Sequence, residues 1–383
     1  MVVGKLTEQQ TNKGKDPVNT ELTRSCFSTH SNRVEPARPT VARTRSIIIP
    51  GSLLIILILT ASGASAQSWT PLVSGTFEDL NFVYSGSFAD CWVVGDGGFV
   101  ATGGDCTTFT PVQVNAGAAD LTSLTRGSSA DIWVGGELGV VRRRVAGVWE
   151  LRDIPGAAVS GERFNLFSRS SGAAWAVGDQ GSVYRNPTGA ADGWELSTST
   201  GVPIFGGSGF ISSVATVVGA GGLILETTDG GTTWTPLASG TSFDLFDLVP
   251  GPAGSQLVVG NRGTILKSTD GGATWQRKPT STTAGIRALS TSGQNADFMM
   301  AVGDGGVILR SVDGGESWCF LHATMDHLRG VEVITNSTAI VVGEDGVMLR
   351  TDDGGGACQA AALDFIFADG FESGDLSQWG PPS

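Results

Sequence analysis

The sequence predicts an all-β protein, a seven-bladed β-propeller with four-stranded blades that is closed by its N-terminal strand. Three observations lead to this fold: a glycine hairpin motif that recurs seven times, an Asp- and Trp-containing motif that follows three of the copies, and an N-terminal segment, residues 68–76, that repeats a segment from the middle of the chain. With 56 glycines and 40% hydrophobic residues in 383, the composition favours short strands joined by tight turns.

The hairpin motif is an apolar pair, Gly, a small or polar residue, any residue, Gly and a second apolar stretch, as in VVGNRGTI from Val258. Its glycines supply the positive φ angles that tight turns need. Successive copies lie 40 to 43 residues apart, which is the period of four-stranded propeller blades. The first glycine of each copy is Gly95, Gly136, Gly178, Gly219, Gly260, Gly303 and Gly343.

The second motif, S/T-x-D-x-G-x-S/T-W, spans 227–234, 268–275 and 311–318. An Asp in such a turn accepts backbone N–H groups, and the Trp begins the next strand with a large buried ring. Because the motif recurs at one position in the blade, we predict a structural role rather than catalysis for Asp229, Asp270, Asp313, Trp234, Trp275 and Trp318. The first copy departs from the pattern, with Gly104 at the Asp position and Cys106 at the second Gly position.

The seventh copy has Cys358 where the motif needs Trp, and the missing Trp lies at the other end of the chain. Residues 69–76 read WTPLVSGT, against WTPLASGT at 234–241. We therefore predict that the strand in residues 68–76 pairs with the segment from Val347 to Thr351 and completes blade seven. Such closure removes an open sheet edge.

The first 66 residues differ from the rest. Arg43 and Arg45 precede an apolar run from Ile47 to Leu59, and the segment ends in a small-x-small sequence at Ala64 to Ala66. These are features of a secretory signal, and the run is shorter than the roughly 20 apolar residues of a membrane span. We predict an N-terminal extension and signal peptide at 1–66, the propeller at 67–358 and a C-terminal tail at 359–383. An uncleaved N-terminal anchor is the alternative. The expected location is periplasmic, extracellular or on the cell surface.

Charge and cysteine content restrict the partners. Residues 1–66 hold eight of the 24 basic and four of the 37 acidic residues, so the remainder has a net charge of −17. Such a surface repels nucleic acid and anionic membranes; we expect a monomer with a protein partner and no membrane span after cleavage. Four cysteines remain, which in an exported chain suggests disulfides. Three connectivities are possible and free buried thiols are the alternative; we favour Cys91–Cys106 and Cys319–Cys358 as nearest in sequence.

The unit VVGNRGTILKSTDGGATW resembles the BNR, or Asp-box, repeats of the photosystem II assembly and stability factor family. The resemblance covers about residues 68–356 and implies a seven-bladed propeller with a non-enzymatic role, a chaperone-like platform for a membrane-protein assembly intermediate. This sequence departs from the family in having few basic residues, which puts a basic partner-binding face in doubt. It also has an additional tail with the segment from Phe365 to Trp379.

The residue after each first glycine is a candidate binding position. Propeller symmetry places these residues in a ring on one face, with a gap at Ala220: Asp96, Glu137, Asp179, Asn261, Asp304 and Glu344. The ring could bind a cation or a basic peptide, but the preference of turns for Asp and Asn, together with solvation of surface charges, is the favoured explanation. Arg287 and Arg329 lie in neighbouring first strands that line the channel, where we expect them to pair with carboxylates.

Catalytic and metal motifs are absent from the sequence. There is no G-x-S-x-G, H-E-x-x-H or phosphate loop, and His322 and His327 would lie on opposite faces of a regular strand. We predict no catalytic residue, metal or cofactor. The alternative is a sialidase-like or other glycoside hydrolase that uses two carboxylates. A third hypothesis is a surface structural protein held by its tail. The acidic residues and glycines of the tail suit calcium, but their spacing matches no EF-hand loop, and a sorting or docking tail or plain disorder is favoured.

Overall fold

A computed structural model describes residues 68–358 except 88–89, 129–130, 157–160, 168–173, 191–192, 212, 293–295, 323 and 325. These residues form 28 strands in seven four-stranded antiparallel sheets. The predicted seven-bladed propeller is therefore confirmed. The predicted signal peptide and C-terminal tail lie outside the described residues.

Blades 1 to 6 each consist of four strands that are consecutive in the chain, with the first strand innermost. Blades 1 to 3 contain β2 (Leu80–Ser87), β3 (Asp90–Gly95), β4 (Val100–Gly103) and β5 (Thr110–Pro111); β6 (Leu121–Ser128), β7 (Asp131–Gly136), β8 (Val141–Val145) and β9 (Val148–Leu151); and β10 (Phe164–Phe167), β11 (Ala174–Gly178), β12 (Ser182–Asn186) and β13 (Glu195–Ser199). Blades 4 to 6 contain β14 (Ile204–Ile211), β15 (Val214–Gly219), β16 (Ile224–Thr227) and β17 (Thr235–Pro236); β18 (Leu245–Pro250), β19 (Gln256–Gly260), β20 (Thr264–Ser268) and β21 (Gln276–Arg277); and β22 (Ile286–Thr291), β23 (Met299–Gly303), β24 (Val307–Ser311) and β25 (Cys319–His322).

Blade 7 joins the two ends of the propeller. It contains β26 (Leu328–Val333), β27 (Ala339–Gly343), β28 (Met348–Thr351) and, as its outermost strand, the N-terminal β1 (Thr70–Pro71). Thr70 pairs with Arg350 and Pro71 with Leu349. The predicted closure is thus confirmed, and the partner segment lies within 347–351 as expected.

Tryptophans at one position of the blade fill the spaces between blades. Trp234 of blade 4 packs edge-on against Trp175 of blade 3, with ring centroids 5.7 Å apart. Trp275 and Trp318 take the same position in the clusters that join blades 4 to 5 and 5 to 6. Trp69, which is 4% exposed, packs with blade 6 residues at the corresponding place in blade 7. The N-terminal strand therefore supplies both the missing sheet edge and the missing indole.

The Asp-box carboxylates stabilise their own turns. Asp270 Oδ1 accepts the backbone N–H of Thr274 at 2.9 Å, and Oδ2 accepts the Thr274 hydroxyl at 2.6 Å. Ser268 Oγ accepts the N–H of Gly272 at 2.8 Å. Asp229 and Asp313 bond their turns in the same way. Hydrogen bonds from Thr233 lower the pKa of Asp229 to about 2, so its carboxylate stays ionised.

Blade 1 keeps the turn with different residues. The carboxylate comes from Asp105, one residue after the expected position, and it accepts the N–H groups of Thr107 and Thr108 at 2.9 and 3.1 Å. Cys106 has a φ of 56°, a left-handed conformation that favours glycine. Its disulfide with Cys91 of β3 ties this turn to the blade.

The second disulfide joins Cys319, at the start of β25 in blade 6, to Cys358 at the end of the seventh Asp-box turn. The Cα atoms of the two disulfides are 5.3 and 5.5 Å apart, and both pairings are those favoured from sequence separation. Among the described residues, none forms a helix with the length and apolar character needed to span a membrane.

Candidate functional site

The candidate site is the mouth of the central channel on the face that carries the turns between second and third strands. We call this the turn face; the Asp boxes lie on the opposite face. The connections that lead into each first strand lie on the turn face too, because Asp96 N donates to Asp79 O at 2.9 Å and Gly97 N donates to the Asp120 carboxylate at 3.0 Å. In the same manner, the Asp244 carboxylate accepts a hydrogen bond from Gly221 N, and the Asp79 carboxylate accepts one from Asp345 N.

A recurring β-bulge determines which side chains point into the mouth. In six blades the register shifts after the first residue of the innermost strand, and the residue skipped by the pairing is re-aimed. These residues and their counterpart in blade 3 all line the channel: Asn81, Thr122, Asn165, Phe205, Phe246, Arg287 and Arg329. One half of this ring is polar and the other is aromatic and cationic.

Three polar members of the ring connect neighbouring blades. Asn81 Nδ2 donates to Leu121 O at 3.0 Å, and Thr122 Oγ1 donates to Phe164 O at 2.9 Å. Asn165 Nδ2 donates to Phe205 O at 2.6 Å. Each bond runs from one blade to the next, so these side chains fix the shape of the mouth. The repeat pattern does not reveal these bonds, because each acceptor lies about 40 residues away along the chain.

The predicted acidic ring lies around this mouth, and its members are already paired. Asp179, Asp304 and Glu344 line the channel, whereas Asp96, Glu137 and Asn261 are not in its wall. Asp96 accepts from Asn81 at 2.7 Å, Asn261 donates to Asp244 at 3.3 Å, and Glu137 pairs with Arg163. The ring is therefore part of a hydrogen-bonded network rather than a set of free carboxylates.

The two channel arginines pair with carboxylates, as expected from the sequence. Arg287 holds Asp304 through two bonds of 2.8 Å. Arg329 contacts Glu344 at 2.9 Å and Asp79 at 2.8 Å, and it also donates to Asn81 across the closure between blades 7 and 1. Burial alone would raise the pKa of Asp304, but Arg287 outweighs it and lowers the pKa, with a smaller effect from His327 at 3.4 Å.

An aromatic wall lies beside these ion pairs. The Phe205 and Phe246 rings are tilted by 55° with centroids 5.5 Å apart, and both are half-buried. The Arg287 guanidinium stacks over Phe246 at 4.4 Å from the ring centroid. Because Asp304 fixes Arg287, the guanidinium holds the Phe246 ring in place. Aromatic residues and arginine are enriched in the cores of protein–protein interfaces.

Two carboxyl groups lie deeper in the channel, whose volume is about 930 Å³. Asp247 accepts the N–H groups of Leu248 and Leu289 at 2.8 and 2.9 Å. Glu332 accepts the N–H of Ser85 at 3.1 Å and the Ser290 hydroxyl at 3.3 Å. Both side chains are partly exposed to the channel, yet loss of solvation raises the pKa of Asp247 to about 6 and that of Glu332 to about 8.

Within the described part of the chain, no cluster of three or more His, Cys, Asp or Glu side chains is arranged to hold a metal ion. His327 lies at the channel mouth beside Asp304. His322 ends β25, the outermost strand of blade 6. The prediction that the two histidines lie on opposite faces of one strand is therefore wrong: His322 ends β25, whereas His327 precedes β26 of blade 7.

These features define a seven-bladed β-propeller with BNR, or Asp-box, repeats. Residues 245–366 match the family model described as Photosynthesis system II assembly factor YCF48. The resemblance expected from the repeat sequence is thereby confirmed. Among curated protein sequences, none matches the chain.

Solved structures support the fold. The structure "YCF48 bound to D1 peptide" is similar with a TM-score of 0.62 and 17% identity over 75% of this chain and 96% of that one. The structure of YCF48 from Cyanidioschyzon merolae has a TM-score of 0.61 and 17% sequence identity, and the match covers 74% of this chain and 98% of that one. Enzymes have the fold too. The GH74 enzyme of Niastella koreensis has a TM-score of 0.59 and 14% sequence identity, and the match covers 76% of this chain and 55% of that one. At these identities the similarity shows the fold alone.

Proposed function

We propose that the protein is a non-enzymatic platform that binds a protein partner at the channel mouth of the turn face. The observation that carries the proposal is the half-exposed Phe205–Phe246 pair, held by Arg287 inside a ring of inter-blade hydrogen bonds. The match to an assembly-factor family and the peptide bound to a structural neighbour support a peptide or protein ligand. A role in photosystem II assembly itself is part of the proposal only for a photosynthetic source.

Photo-cross-linking tests this surface. A benzoylphenylalanine introduced in place of Phe246 should cross-link a partner in an extract of the native cells. The same group in place of Val312, which is 67% exposed beside an Asp box on the opposite face, should not. With the purified partner, Phe246→Ser should weaken binding at least about 30-fold, the effect of losing an aromatic hot spot, whereas Val312→Ser should bind normally.

Two outcomes would contradict the proposal. Equal capture of one protein from both positions would place the interface elsewhere. Release of reducing sugars from xyloglucan or a sialoside, abolished by Glu332→Gln, would favour the alternative of a glycoside hydrolase, because two carboxyl groups in one cavity are the minimal machinery for that reaction.

We also propose that the protein is exported and processed after Ala66. The small-x-small sequence at 64–66 and the two disulfides of the propeller support an oxidising destination. N-terminal sequencing of the mature protein should begin at Gln67. A membrane-bound species that retains residues 47–66 would instead establish the uncleaved anchor.

A further inference from the structure

The channel interior contains hydrogen-bond acceptors that no cation of the protein satisfies. At the mouth, Asp304 and Glu344 are each paired with an arginine. Among the described residues, no lysine or arginine forms an ion pair with Asp247 or Glu332 deeper in the same channel. Carboxylates outnumber arginines in the channel wall by five to three. Glu332 is protonated at neutral pH because burial raises its pKa to about 8, yet the other four carboxylates still outnumber the three arginines. A cation beside Glu332 would favour its ionised form.

The two deeper carboxyl groups share one chemical requirement. Within the described part of the chain, Asp247 and Glu332 accept hydrogen bonds from three backbone N–H groups and one serine hydroxyl, and from no cationic side chain. Hydrogen bonds from a charged donor to a carboxylate are shorter and stronger than those from a neutral donor. A cationic ligand would therefore supply what the protein itself does not.

The route to these acceptors passes the aromatic wall. Phe205 and Phe246 lie one strand position before Gly206 and Asp247, and three before Ser208 and Val249. A strand rises about 3.3 Å per residue, so Asp247 lies a few ångströms below the rings. Glu332 lies three residues after Arg329, as Val249 lies three after Phe246, which places its level about 10 Å below the rings. A lysine or arginine side chain that enters past the rings can pack its aliphatic stem on them and carry its charged group toward the carboxyl groups.

We propose that the channel interior binds a basic side chain of the partner, with Asp247 and Glu332 as the acceptors of its cationic group. This inference rests on the proposed function, because it assigns the ligand chemistry of the same mouth. A guanidinium has five N–H donors and no acceptor, which matches two carboxyl groups that accept hydrogen bonds. Occupation should ionise Glu332 and release its proton.

The neighbours of Glu332 define what else could respond to pH. Ser290 of β22 and Ser85 of β2 bond it, and Tyr84 of β2 lies close enough to interact electrostatically. The Arg126–Asp90 ion pair also affects the pKa of Tyr84. Asp247 lies on β18, and His327 lies at the mouth against Asp304. Replacing Glu332 alone removes one titrating group and leaves Asp247 and His327 in place, so it shows whether the released proton comes from Glu332.

The test uses purified protein and three blocked tripeptides, acetyl-Ser-Arg-Ser-amide and the same peptide with citrulline or Glu in place of Arg. Citrulline keeps the shape of arginine without the charge. Calorimetry should show that the arginine peptide binds at least about tenfold more tightly than either control. Its affinity should rise about tenfold from pH 6.5 to 8, with proton release at pH 7, as the buried carboxyl ionises. Propylguanidine has the same single charge and no peptide backbone. If it binds more tightly than the arginine peptide, the site takes a free small molecule and the assignment to a partner side chain is wrong.

Variants complete the test. Asp247→Asn with Glu332→Gln should weaken the arginine peptide at least about tenfold, and Glu332→Gln alone should abolish the proton release. Glu195→Gln is the control, because it removes one charge from the outer strand of blade 3. Equal affinity for the arginine and citrulline peptides, or equal weakening by Glu195→Gln, would overturn the inference. A partner cross-linked at position 246 would still support the proposed function in that case, so the two proposals are tested by different results.

Discussion

Deletion of residues 68–76 is expected to destabilise the whole propeller by more than about 5 kcal/mol. The deletion removes Trp69, which is 4% exposed and packs with Phe298, Met300 and Leu321 of blade 6. Loss of a core Trp to Ala typically costs about 3–5 kcal/mol. The deletion also removes the partners of β28, including the bond from Leu72 N to Met348 O at 2.9 Å, and exposes an unpaired edge.

Urea unfolding followed by tryptophan fluorescence measures this effect, and limited proteolysis should cleave first within blade 7. If the deleted protein does not fold, Trp69→Ala in the full chain should give a loss of about 3–5 kcal/mol. Val73→Ala is the matched control, since Val73 belongs to the same segment but is 80% exposed. A deleted protein that unfolds at the urea concentration of the parent would show that β1 contributes nothing to closure.

The sequence predicted the features of this fold that repeat. Glycine hairpins, Asp boxes and the shared WTPL segment each depend on residues close together in the chain, so their spacing indicates blades, register and even closure. Blade 1 shows where such prediction fails: Asp105 replaces the expected carboxylate one residue late, and the Cys91–Cys106 disulfide holds the turn. A substitution in one copy is compensated by three-dimensional contacts that no repeat pattern contains.

The site was predictable only in part, for the same reason. The ring of polar turn residues follows from symmetry, but its pairing with arginines depends on the bulge that turns Arg287 and Arg329 toward the mouth. Asp247 and Glu332 gave no signal in the sequence, because each sits in an ordinary apolar strand. Glu332 acquires its environment from Ser85, 247 residues away, and from Ser290 on the neighbouring blade.

The same carboxyl group leads to the second large expected effect, on stability against pH. Burial raises the pKa of Glu332 from 4.5 to about 8 in the folded protein. Between these values the folded state binds more protons than the unfolded chain, so this group contributes stability that is complete below pH of about 4.5 and is lost as the pH rises through 8. Allowing for screening by water in the channel, we expect a loss of about 2–4 kcal/mol by pH 9.

Glu332→Gln isolates this contribution, because a neutral amide keeps an acceptor for Ser85 N but has no proton to lose. We expect the variant to match the wild type at or below pH 4.5 and to exceed its free energy of unfolding by about 2–4 kcal/mol at pH 9. Asp247→Asn is the internal comparison: its difference from the wild type should develop between pH 3.8 and about 6 and level off above that, because burial raises the pKa of Asp247 from 3.8 to about 6. Urea unfolding at half-unit intervals from about pH 4 to pH 9 resolves the two. Parallel curves for wild type and Glu332→Gln would mean that Glu332 ionises normally, and the channel would then lack the protonated carboxyl that couples ligand charge to proton release.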